Sequence, residues 1–112
     1  MRILFAVSPR MYREALVLAV HRHRPDFEVR MAPPEDIYEE VGRFHPHVLV
    51  IADNDSVDPL LLEQVLCWVE VIYTDSMNAR IALDGSIEEI RDIAIDDLLR
   101  VVNEAEQFLL QS

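Results

Sequence analysis

The chain has 112 residues, a formal net charge of −11, 51% hydrophobic but only 7% aromatic residues, two glycines and one cysteine. A single domain of this size buries roughly two-thirds of its unfolded surface and holds an aliphatic core without disulfides or a structural metal, while two glycines exclude a glycine-rich phosphate loop. So acidic a chain repels nucleic acid and anionic membrane surfaces, which are met by Lys and Arg.

Residues 2–7 (RILFAV) form a continuous apolar run, the signature of a strand covered on both faces. Ser8 is then placed as an N-cap and Pro9 in the first turn of a helix. From Met11 to His23, apolar residues at Met11, Ala15, Leu16, Leu18, Ala19 and Val20, with Tyr12, make a broad stripe for a helix packed on a sheet, and Pro25 stops it. "FEVRM" alternates and predicts a strand nearer an edge. "APPEDIYEEVGRF" predicts a helix with prolines at its start, acids in its first turn and Ile37, Val41 and Phe44 inward. "HPHVLVIAD" carries the strongest strand signal, "DPLLLEQVL" a short helix, and "WVEVIYTD" another strand. Three successive strand–helix units predict a parallel sheet with right-handed crossovers.

The rhythm then breaks. "DSMN" is too short for a crossover helix, so "ARIAL" is expected to pair antiparallel with "VEVIY". Asp84-Gly85 is a hairpin signal, and "SIEEIRDI" after it admits two readings. Ser86 and Glu89 make a capping box with Ile87, Ile90 and Ile93 at helical spacing, or the segment is the hairpin's return strand, which we favour. Asp96 to Leu110 predicts a helix with Leu98, Val101, Val102, Ala105, Phe108 and Leu109 on one face. No repeat, linker or low-complexity segment interrupts the chain, so residues 1–112 are expected to form one domain. No basic-then-apolar leader opens it, no apolar run approaches the ~20 residues of a membrane span, and the lone Cys67 fits a reducing cytoplasm.

In its first half the chain resembles the receiver domain of bacterial two-component response regulators. "ILFAVSPRMYREAL" is similar to the opening strand and helix of receivers with a "DDHPLFREGL"-like run. "RPDFEVR" matches an Arg-Pro-Asp segment leading into strand two, and "RFHPHVLVIAD" their "PDVVLLD" strand three. The likeness covers residues 2 to 55, with a weaker echo in "VIYTDS". It implies a flavodoxin-like, three-layer α/β fold with a mostly parallel sheet, lacking the fourth crossover helix and ending in an antiparallel strand or hairpin before a last helix. Receiver chemistry needs a cation held by paired acids and an attacking aspartate. The resemblance places Val7 and Ser8 at the paired acids and Ala52 at the phosphoacceptor; Thr74 matches the hydroxyl that senses the phosphoryl group, and the usual lysine has no counterpart. It therefore implies a pseudo-receiver, not an enzyme: a cytoplasmic signalling module binding a protein partner or a second copy, through the antiparallel addition at the sheet edge and the C-terminal helix.

Other constellations bear on chemistry. Asp53, Asp55, Asp58 and Asp75, with Thr74, fall past the carboxyl ends of strands three and four, where open α/β sheets bind ligands. The alternative function is accordingly a small metal-dependent, phosphoryl-handling or ligand-binding domain, with Asp53 as acceptor and Asp55 or Asp75 holding weakly bound Mg²⁺; the plainer reading is an Asp-rich turn capping the helix near Pro59. His21 and His23, with His45 and His47, are two spaced pairs at the amino side of the sheet and the candidate ligands for a metal such as zinc, although no Cys or paired Glu completes the set and solvated histidines at a helix end are the plainer reading. Arg10, Arg13, Arg22 and Arg24 give the first helix a positive streak, read as a solvated face. Cys67, among apolar neighbours, reads as a packed thiol rather than a nucleophile.

Overall fold

The computed structural model describes residues 1–52, 57–73 and 77–111. They build a six-stranded mixed sheet with four α-helices, in the chain order β1 (Arg2–Phe5), α1 (Arg10–His23), β2 (Glu28–Met31), α2 (Ile37–Phe44), β3 (Val48–Ala52), α3 (Pro59–Leu62), β4 (Cys67–Tyr73), β5 (Met77–Leu83), β6 (Ser86–Ile90) and α4 (Ile95–Gln111). The strands lie in the order β2-β1-β3-β4-β5-β6. The first four of these are mutually parallel, whereas β4, β5 and β6 pair antiparallel in turn.

The antiparallel end follows from chain length and turn chemistry. Three residues separate β4 from β5, which permits only a return beside the same strand. Asp84 and Gly85 both take positive φ, 49° and 84°, as a two-residue turn matched to the sheet twist requires. That turn makes residues 86–90 a strand, so the capping-box reading of Ser86 and Glu89 gives way to the hairpin.

The sheet has two faces with separate cores. On one, Ile3, Phe5, Val48, Val50, Val69, Val71 and Ile81 pack under Leu16 and Val20 of α1 and Leu98, Val101, Val102 and Ala105 of α4. On the other, Leu4, Leu49 and Ile51 pack under Ile37, Val41 and Phe44 of α2 and Leu61 of α3. β3 belongs to both cores and all five of its residues are buried, which explains its unbroken apolar run. β2, at the edge, is mostly exposed.

Several local expectations are corrected. Pro9, in extended conformation, takes the N-cap position of α1 in place of Ser8. The inward stripe of α1 runs through Arg13, Leu16 and Val20, spaced i, i+3 and i+7, which turns Met11 (83% exposed) and Leu18 (50%) to solvent. Arg13 is thus only 8% exposed rather than part of a solvated streak. Nor are two of its neighbours free: Arg10 pairs with Glu14 at 2.8 Å, and Arg24 with Glu106 of α4 at 2.7 Å and with Asp26 at 3.1 Å. The prolines before α2 form a separate 3₁₀ turn, Pro34–Asp36. α3 is a single turn. Phe108 is 41% exposed, whereas Leu109 beside it is half-buried, so the inward stripe of α4 does not include Phe108.

Candidate functional site

At the carboxyl edge of the parallel strands, the positions that the receiver resemblance singles out are apolar or small. Val7 is fully buried and Ala52 is 1% exposed, both in the core under α1 and α4. The side chains of a valine and an alanine offer no carboxylate to a cation and no nucleophile to a phosphoryl group. Asp53, Asp55, Thr74 and Asp75 lie outside the described residues. Asp58 caps α3: its Oδ1 accepts from the Leu60 N–H at 2.9 Å, and its own N–H donates to the Tyr38 hydroxyl at 3.1 Å. A cavity of about 210 Å³ lies nearby between α1, α4 and Val50, Val69 and Val71, but its lining is apolar and its one titratable group is Tyr12, whose phenol burial pushes above its ordinary pKa.

Three of the four histidines have structural roles. His47 Nδ1 accepts the Arg2 backbone N–H at 3.0 Å while its own N–H donates to the Arg2 carbonyl at 2.9 Å, tying β1 to the entry of β3. Partial burial, with Arg2 and the N-terminal ammonium nearby, holds His47 below its ordinary pKa. His45 closes α2 in the left-handed conformation, φ 50°. The His23 ring lies 3.2 Å from the Ala19 carbonyl, and His21 is exposed. Among the described residues, no group of three or more His, Cys, Asp or Glu is placed to hold a metal. Cys67 is fully buried, and burial, reinforced by the Glu104 charge, pushes its thiol up to about 12; at neutral pH it is a packed side chain and not a nucleophile.

A further feature lies on the α2–α3 face, beyond β3, where Trp68 packs against the edge of the core and the strands past it are less covered. Strand register puts Trp68 of β4, Ala82 of β5 and Ile87 of β6 side by side in one row. The next row on the same face is Glu70, Arg80 and Glu89, with Arg80 reaching the two carboxylates at 3.7 and 3.8 Å. Because α3 stops after one turn and only three residues lie between β4 and β5, no helix of the described residues crosses these rows. What remains is an open groove of about 580 Å³, floored by Trp68, Ala82 and Ile87 and walled by Pro59, Leu62 and Val65. Ile87 is 64% exposed, and Leu60, on the same short helix, 66%. Glu63 and Asp84 also line the groove.

The sequence contained this signal in parts. Alternation in β4–β6 assigns Trp68 and Ile87 to one face, and the four residues "DSMN" rule out a helix to cover them. Adding the two required the register, which fixes the row. Comparison of the chain with protein-family models, with characterised proteins and with solved structures yields no match.

Proposed function

We propose that this chain is a non-catalytic, receiver-like module that works by binding another protein through the open face of β4, β5 and β6. The observation that carries this reading is the groove itself, an apolar row that runs from half-buried Trp68 and Ala82 to exposed Ile87 and that no helix of the described residues crosses. Contiguous exposed apolar surface bordered by polar groups marks interaction sites. The order β2-β1-β3-β4 with helices on both faces supports a flavodoxin-like relation, and the antiparallel β5 and β6 are the departure from it. Val7 and Ala52 at the positions of a phosphorylation site support a module that does not use the usual aspartate mechanism. A reducing, cytoplasmic setting fits the buried lone thiol.

The test is to select ligands for the folded chain from a displayed peptide library and to map them by amide NMR. Ligands of the face shift the Trp68 indole and the β4–β6 amides, and lose binding with Ile87→Asp, a substitution at an exposed position. Ligands that map elsewhere, or bind the variant unchanged, overturn the reading. The phosphoryl-handling alternative is checked in the same spectra with Mg²⁺: saturable shifts at Asp53, Asp55, Thr74 and Asp75 would favour it.

A further inference from the structure

Resting on that reading of the face, we infer that its occupant is one basic-flanked amphipathic α-helix of about four turns, supplied by another protein. The dimensions of the floor argue for a helix. β4, β5 and β6 span about 10 Å from first strand to third, the diameter of one helix. The seven residues of β4 extend about 23 Å, matched by a helix of about 15 residues. The same face is already covered by helices over β1 and β3, so one more continues the layer that α2 begins. Lying along the strands, such a ligand sets one apolar turn, at i, i+3 and i+4, on the row Trp68, Ala82 and Ile87 and beside Leu62 and Val65, and its flanking polar side chains meet the next row, Glu70, Arg80 and Glu89.

Charge sets the flanks. Glu63 and Asp84 line the groove, and Glu70 and Glu89 border its floor with Arg80 between them, four carboxylates to one guanidinium. A ligand with Lys or Arg on both sides of its apolar stripe meets these carboxylates, and one with acidic flanks is repelled. The same argument disfavours a second copy. Each copy carries −11, and α4, whose last turns expose Phe108 and Leu110, would bring Glu104 of the same helix toward these carboxylates.

The experiment uses two helix-forming 15-residue peptides without tryptophan. They share a leucine stripe, and their flanks are all Lys in one and all Glu in the other. Trp68 is the only tryptophan of the chain, so its emission reports occupation of the floor. The Lys-flanked peptide is expected to blue-shift Trp68 and bind saturably; the Glu-flanked one is not. Glu63→Gln with Asp84→Asn is expected to weaken binding by about three- to tenfold, as two exposed ion pairs warrant. Ile87→Asp, checked for folding by circular dichroism, is expected to abolish the shift even though it adds negative charge. Retained binding by that variant would show general attraction of a cation to an acidic chain and overturn the proposal. Equal binding of both peptides, binding of neither, or a chain that dimerises through this face in sedimentation and is made monomeric by Ile87→Asp, would overturn it too. Binding of neither peptide, with library ligands still mapping to Trp68, removes the basic helix and leaves the protein-binding face. Failure of both removes the face as well.

Discussion

Two isoleucines on neighbouring strands provide a direct measure of whether the face of β4–β6 is open in solution. Ile81 of β5 points into the core beneath α1 and α4 and is 3% exposed, whereas Ile87 of β6 points to the other side and is 64% exposed. Cutting Ile81 to alanine removes three buried carbons and leaves a cavity between packed layers, which costs about 2–4 kcal/mol. Ile87 has only about a third of its surface out of water. With full burial of such a side chain worth about 1.5–3 kcal/mol, Ile87→Ala is expected to cost about 0.5–1 kcal/mol. The β-propensity lost with the branched side chain enters both substitutions, so the difference between them reports burial. Urea denaturation followed by far-ultraviolet circular dichroism gives both values, and the slope against urea should stay constant across the set. Repeating the series at two protein concentrations separates folding from association. A cost for Ile87→Ala equal to that of Ile81→Ala would mean that something already covers Ile87, and the open face would be refuted.

Three further outcomes follow from buried groups. Cys67, with its thiol pushed up to about 12 in the core, should resist iodoacetamide in the folded chain and react once urea unfolds it; fast alkylation of the native protein would contradict its packing. His47 is held below its ordinary value of 6.5, so the unfolded chain binds more protons just beneath that pH, and stability should fall as pH drops from 6.5 toward the lower folded value. His47→Asn, which keeps an acceptor for the Arg2 N–H, should flatten that slope in urea midpoints, and an unchanged slope would assign it to other groups. Arg13 is buried, and among the described residues its Nε has no acceptor, so Arg13→Met should leave stability unchanged or raise it by about 1 kcal/mol, a loss above about 2 kcal/mol arguing for an interaction beyond packing.

Much of the fold was legible because local chemistry decided it. The unbroken run of β3, the three residues between β4 and β5, and the Asp84-Gly85 turn each have few conformational solutions. Arg13 was not legible: a guanidinium in an inward stripe contradicts hydropathy, and which side of α1 faces the sheet is set by where Leu16 and Val20 seat on the strands. The length of α3 was hidden for a similar reason. "LLLEQVL" has helical spacing, but the chain must leave the helix after Leu62 to enter β4 at Cys67 beside Val48. The candidate site was half legible. Composition indicated a module without phosphate-loop chemistry and the strands of the antiparallel end were expected, yet Trp68 and Ile87 were not singled out, because only register shows that they share a row with Ala82.

The way the chain ends explains why that row is left over. After β6, the turn at Asp92 and the cap in which Asp97 accepts the Ala94 N–H at 2.9 Å direct α4 back over the face that already holds α1. A single closing helix covers a single face, and the tight hairpins supply no other. If the opposite face of β4–β6 served only to meet water, its two adjacent rows would be expected to share one chemistry. They do not. Glu70, Arg80 and Glu89 form a row at home in solvent, whereas Trp68, Ala82 and Ile87, immediately beside it, form an apolar one. The core accounts for Trp68, which packs beside Leu62 and Val65, but folding draws little stability from the exposed part of Ile87, and it is at Ile87 that the apolar row departs from what solvent alone would favour.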